Sequence, residues 1–227
     1  MDVLWGERPA PRRGPRPAFD PERLARTGIE IADREGLPAV TMQRVAESLG
    51  VTKMALYRYL PGKAELVALM VDIGLGPPPV PAAGASWRET LTQWSRALFA
   101  TFSDHPWSIE ATRGERIIGP NELSWMETAV AALADSGLDG AEMLDVVVVL
   151  TGHVRSLGDQ TRGFRGEAAE NALADGFQAL LAGREHRFPA VTAALASAAA
   201  SGKQNRALDF GVDRILDGVE SLIASRA

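Results

Sequence analysis

The chain contains no cysteine, which excludes disulfides, thiol catalysis and cysteine-based zinc sites. Its three histidines, His105, His153 and His186, are far apart in sequence, so a histidine metal cluster or histidine-based catalysis has little material. Glycine-rich phosphate loops and serine-nucleophile motifs are missing as well. No apolar run approaches the roughly 18 residues of a membrane span. The opening "MDVLWGERPAPRRGPRPAFD" lacks the apolar stretch of a secretory signal. These absences predict a cytoplasmic protein that is not an enzyme and needs neither cofactor nor metal, with no membrane partner.

What is present is a chain of 227 residues, 46% hydrophobic, enough for a substantial core. The net charge of −5 hides an asymmetry. Residues 1–63 hold eleven Lys/Arg against eight Asp/Glu, and the remainder holds thirteen against twenty-one. Within the basic part, Arg8, Arg12, Arg13 and Arg16 alternate with four prolines in a stretch free of acidic residues. This reads as an extended arm, with a solvated tail as the plain alternative.

From Asp20 onward the periodicity is helical, and no strand has a partner to pair with, so the fold class is all-α. Asp20 caps a first helix that stops at Gly36. Thr41 caps a second, "MQRVAESL", and Gly50 turns the chain; Thr52 caps a third over "KMALYRY". In that third helix Ala55, Leu56 and Tyr59 can face inward while Lys53, Met54, Tyr57 and Arg58 stay outside. Pro61-Gly62 breaks the chain, and Leu66, Leu69, Met70 and Ile73 mark a fourth helix over 63–75. The Pro/Gly/Ala stretch that follows reads as a boundary. The expected organisation is an arm (1–19), a helix-turn-helix domain (20–76), a linker (77–85) and a helical domain (86–227). Helices are expected in the last over 86–103, 120–137, 139–162, 167–182, 189–200 and 206–225. The run "DVVVVLTGHV" favours a strand by propensity, but a buried helix is the better reading without a second strand.

Two short helices joined by "LGVT" form the helix-turn-helix pattern, whose second member lays its outer face into the major groove of double-stranded DNA. Tyr57, Lys63 and Thr41 are placed to meet phosphates. Gln43, Arg44, Lys53, Met54 and Arg58 project toward base edges, where Gln suits adenine and Arg or Lys guanine. Thr52, Tyr59 and the arm's Arg12, Arg13 and Arg16 complete the candidate DNA-binding set. An ordinary three-helix subdomain with a tyrosine-rich surface is the bland alternative.

The segment "GLPAVTMQRVAESLGVTKMALYRYLPGKAEL" resembles the DNA-binding domain of the TetR family of transcriptional repressors, with "LYRYLPGK" as the most specific part. "GASWRETLTQW", "TGHVRSLG" and "LDFGVDRILDGVESLI" are similar to the ligand domain of the tetracycline-repressor subgroup. The resemblance implies a homodimeric regulator whose N-terminal helices bind a palindromic operator and whose C-terminal helices hold a small-molecule inducer. It places Trp94, Leu98 and His153 on the inducer cavity. Trp125 and Met126 join them on helical phase, with Phe102 one turn beyond Leu98 and Val149 one turn before His153; the plain reading of such residues is core packing. The subgroup's metal-holding loop histidine has no counterpart in "ATRGERIIGP", so the expected inducer is mostly apolar and ring-containing rather than a metal chelate, with His153 as its polar contact.

The stripe Val212, Ile215, Leu216, Val219 and Leu222, with the apolar helix over 143–157, is expected to form a two-fold, four-helix dimer interface. Two other functions stay open at this point: a constitutive DNA-binding regulator without a ligand, and an enzyme with an accessory DNA-binding head.

Overall fold

In the computed structural model, residues 4–6, 20–160, 176, 178–201 and 206–226 are described. All regular elements among them are helical. Helix α1 (Pro21–Glu35) begins where the Asp20 carboxylate accepts from the Arg23 N–H at 2.7 Å and ends at Gly36, whose φ of 83° a side chain would resist. A 3-10 turn, Leu37–Ala39, leads to α2 (Met42–Ser48) and then α3 (Lys53–Leu56). The third helix is shorter than the sequence predicts. It is a single α turn, after which the N–H groups of Tyr59 and Leu60 both return to the Leu56 carbonyl, before Pro61 ends the run. Helix α4 (Lys63–Leu75) matches the expected span.

These helices close around Leu24, Ile31, Val40, Val45, Leu56, Leu60, Leu66 and Met70, all at most 2% exposed. The contact between α1 and α4 is close enough that a Cβ on Gly28 would lie 2.6 Å from the Met70 sulfur.

The chain then passes through the Pro/Gly/Ala stretch to α5 (Trp87–Asp104). The start of α5 is fixed by a capping box: Ser86 Oγ accepts from the Glu89 N–H, and the Glu89 carboxylate accepts from the Ser86 N–H. A short α6 (Trp107–Ala111), which the sequence reading does not anticipate, follows Pro106. Helices α7 (Pro120–Leu133) and α8 (Gly140–Gln160) come next. The valine run is helical, as expected, but only half buried: Val146 and Val147 are inside, while Val148 and Val149 are 66% and 52% exposed. After the 3-10 turn Glu185–Arg187 come the alanine-rich α9 (Pro189–Ser201) and α10 (Ala207–Ala224). Most of the helix expected over 167–182 lies outside the described residues.

A second buried cluster joins α5, α7, α8 and α10 through Leu91, Leu98, Leu133, Leu150, Val154 and Leu216. The two clusters are tied together at two places. Trp107 of α6 packs into the first cluster, and its indole N–H donates to the Asp33 carboxylate at 2.7 Å. The same Asp33 oxygen lies 2.8 Å from His105 Nδ1. The other tie is α4 itself, whose Leu75 packs against the second cluster.

Candidate DNA-binding face and ligand cavity

The first site is an outward surface. Thr41 and Thr52 each use the side-chain oxygen to accept a backbone N–H at the start of their helix, from Arg44 at 3.1 Å and from Ala55 at 3.3 Å. Those caps aim the first turns of α2 and α3 into solvent, where N–H groups and partial positive charge favour phosphate. Met54 is 74% exposed and Tyr57 40%, with the Lys53 ammonium 5.9 Å from the Tyr57 ring centroid. Gln43, Arg58 and Lys63 are also exposed. The Gln43 amide donates to Glu47 at 2.6 Å, a contact within one turn that a base edge can replace. Two expected DNA contacts behave differently. Arg44 is paired with Glu35 at the end of α1, which draws its guanidinium back toward its own protein. Tyr59 is half-buried against the core, because at the tight turn its ring falls on the inner side. Arg12, Arg13 and Arg16 lie outside the described residues.

The second site is an inward one, a cavity of about 380 Å³ between α4, α5, α7 and α8. Its apolar wall includes Trp94, Leu98, Phe102, Trp125 and Met126, all of them expected there, together with Val147. The two indoles meet edge to face, 5.7 Å between centroids at 64°. Both of their N–H groups are committed: Trp94 donates to the Trp125 carbonyl and Trp125 to the Gly76 carbonyl at the end of α4, each at 2.9 Å. One end of the cavity is polar, with Arg116, Glu122 and Arg155 on its wall. Arg116 pairs with Glu122. Burial raises the Glu122 pKa, against the opposing pull of Arg116. Burial also lowers that of Arg155, helped by the positive charges of Arg116 and Arg113.

Beside this end lies a latch between α4 and α7. The Asp72 carboxylate accepts the Asn121 N–H at 2.8 Å and the Glu122 N–H at 3.3 Å, so an α4 side chain caps α7. The Asn121 amide returns a bond to the Asp72 carbonyl at 3.0 Å. Burial raises the Asp72 pKa, while these donors act to lower it. The approach depends on Gly119, where a Cβ would lie 2.2 Å from the Asp72 carboxylate.

The sequence of the N-terminal helices matches the family described as bacterial regulatory proteins, tetR family, over residues 25–70, and residues 80–223 match the tetracyclin repressor-like C-terminal domain. The chain belongs to the TetR family. It is a helix-turn-helix transcriptional repressor of that family. Among curated relatives, it is 32% identical to the HTH-type transcriptional repressor DrrR1 of Streptomyces coeruleorubidus, over 100% of this chain and 86% of that one. Among solved structures, the TetR family protein ActR of Streptomyces coelicolor in complex with actinorhodin superimposes with a TM-score of 0.70 at 25% identity, covering 88% of this chain and 95% of that one. The complex of ActR with (S)-DNPA gives 0.67 at 25% identity, covering 89% and 98%.

Within this TetR-family protein three groups of expected residues are differently placed. His153 does not reach the cavity. Its Nε2 lies 3.2 Å from the Leu208 carbonyl, and its ring packs so closely on α10 that a Cβ on Gly211 would be 2.2 Å away. Val149 also faces α10, in a surface groove with Ile215 and Leu222. The reason is helical phase: the cavity stripe of α8 runs through Val147, Val148, Thr151, Gly152 and Arg155, and His153 stands about 200° from Thr151. In the third group, Val212, Leu216 and Val219 are buried in their own chain against α5 and α8, which leaves Ile215 half-buried and Leu222 38% exposed. The sequence reading missed Arg116, Glu122 and Arg155, although Arg155 sits in the quoted "TGHVRSLG". The signal was its i+4 spacing from Thr151.

Among the described residues no group of His, Asp and Glu could hold a metal ion, and no helix is long and apolar enough to cross a membrane.

Proposed function

We propose that this repressor is ligand-responsive, binding a palindromic operator as a homodimer and leaving it when a small, mostly apolar, ring-containing molecule enters the cavity. The observation that carries the reading is the double use of α4. Its first residue, Lys63, is exposed beside the DNA-binding face, whereas Val71 and Leu75 near its other end form part of the cavity wall. A ligand that shifts that wall shifts the head it supports. The mechanism is a population shift: the ligand favours a dimer whose two heads are no longer about 34 Å apart, the spacing of successive major grooves. The complexes of ActR, a relative with the same fold, with actinorhodin and with (S)-DNPA support a cavity that takes a small molecule.

The dimer face in this reading combines α8 and α10. Val149, Ile215 and Leu222 line a surface groove that a second copy would cover. Lys63, Tyr57 and the Thr41 cap hold phosphates; Gln43, Lys53, Met54 and Arg58 read bases.

The test begins with a duplex selected by the protein from a randomised pool. A palindrome should emerge, light scattering should give a dimer, and Ile215→Glu should yield a folded monomer that no longer binds it. Aromatic compounds that quench tryptophan fluorescence should release the duplex with the same concentration dependence. A monomeric wild type, or quenching ligands that leave the duplex bound, would refute the reading.

A further inference from the structure

The donors on the cavity wall are nearly all spent. Both indole N–H groups donate to backbone carbonyls. The hydroxyls of Thr101, Ser108 and Thr112 do the same, to Ala97 at 3.2 Å, His105 at 2.7 Å and Ser108 at 2.8 Å. What remains for a ligand is the Thr151 hydroxyl and the guanidinium groups at the polar end.

Those guanidinium groups are unequally paired. Arg113 has Asp159 and Arg116 has Glu122. Among the described residues Arg155 has no carboxylate within ion-pair distance, and its Nε is buried without a hydrogen-bond partner. Glu122 helps it only through space, and that carboxylate is already held by Arg116. A guanidinium keeps its charge even when desolvated, so the wall that carries Trp94, Phe102 and Trp125 also carries one cation without an ion-pair partner among the described residues. Arg155 is half-buried, and a ligand that covers the rest of its charge incurs a desolvation cost that an anion on that ligand would offset. A guanidinium also offers two parallel donors, a geometry suited to a carboxylate.

We infer that the ligand is an aromatic carboxylate, its ring body against Trp94, Phe102 and Trp125 and its carboxylate on Arg155. The inference rests on the ligand-responsive reading and narrows it: an uncharged ring system of the same shape covers the Arg155 charge without pairing it. Arg155 is thereby the residue that selects acids over neutral compounds.

Pyrene-1-carboxylate and its methyl ester present the same ring system with and without the charge. Tryptophan quenching measures their binding, and anisotropy of a labelled selected duplex measures release. The wild type should bind the acid about tenfold or more tightly than the ester. Arg155→Gln should bind the two equally, and Arg155→Lys should keep a reduced preference. Unchanged duplex affinity and an unchanged melting temperature show that the variants are folded; should Arg155→Gln fail to fold, the lysine variant decides, since it keeps the charge but loses the paired donors. Equal binding of acid and ester by the wild type, an acid preference that survives in Arg155→Gln, an undiminished one in Arg155→Lys when only that variant folds, or binding of neither compound overturns the inference. An acid preference lost in Arg155→Gln, in a protein that keeps hold of its duplex, upholds the inference and refutes ligand-driven release instead.

Discussion

The two halves of the molecule bury similar residues to opposite ends. Around α1 and α4 the core closes on itself, with Leu24, Val40, Val45, Leu60 and Met70 at 0% exposure, and the cationic side chains Lys53, Arg58 and Lys63 stay on the outside. Around α5, α7 and α8 equally large side chains, Trp94, Leu98, Phe102 and Trp125, pack into a wall around a space that charged groups enter. In the proposed reading, one half meets its partner with an outer surface on a rigid support, and the other with an inner surface whose filling is left to a ligand. Recognition in the first depends on charge and register, and in the second on complementarity to an existing void.

Large-to-small substitutions test that contrast most strongly. Leu60→Ala in the closed core should cost about 2–5 kcal/mol in a urea melt. Leu98→Ala, whose side chain borders the cavity, should cost roughly half as much, because it already lacks neighbours on one side. Equal losses would mean that the second core is as tightly filled as the first.

Smaller effects refine the outer surface. Gln43→Ala should relax discrimination at one base pair by about 1–3 kcal/mol in competition binding. Thr41→Ala should lose about 1 kcal/mol of stability with its cap and weaken every duplex alike. Lys63→Ala should leave the melting curve unchanged and lower the slope of log affinity against log salt by about 0.9. The mildest change is expected at Glu35. Its pair with Arg44 leaves both side chains more than 40% exposed, so Glu35→Ala should alter stability by less than about 1 kcal/mol while freeing Arg44 to strengthen duplex binding. Weaker binding in that variant would show that Arg44 acts as a brace for α2 and not as a DNA contact.

The same contrast explains what the sequence makes legible. The head is built from signals a few residues apart: a capping Asp20, Thr41 or Thr52, a Gly36 or Gly50 stop, and the Pro61-Gly62 break. Its helices and outward residues can be read in order. Arg44 and Tyr59 are the exceptions: the partner of Arg44, Glu35, sits on another helix, and the Tyr59 ring turns inward where the third helix ends early. In the second half the spacing finds the helices and the aromatic wall but not the phase of α8, since a run of four valines makes every face look apolar. His153 and Arg155, two positions apart, therefore exchange roles: one packs on α10 and the other lines the cavity. The stripe on α10 is similarly ambiguous. Val212 and Leu216 differ from Ile215 only in facing α5 and α8 of their own chain, which a sequence pattern cannot distinguish from facing a second copy.

Gly119 touches neither of the two surfaces. Its φ of −93° is one that any amino acid adopts, so the residue is small only because the Asp72 carboxylate occupies the place where a side chain would begin. Any substitution there pushes the start of α7 away from α4. For a geneticist, this makes a single codon a test of the proposed coupling: if ligand occupancy is passed to the head through the bond between α4 and α7, a lesion at 119 yields an allele whose product still occupies its operator but is no longer released from it by the ligand.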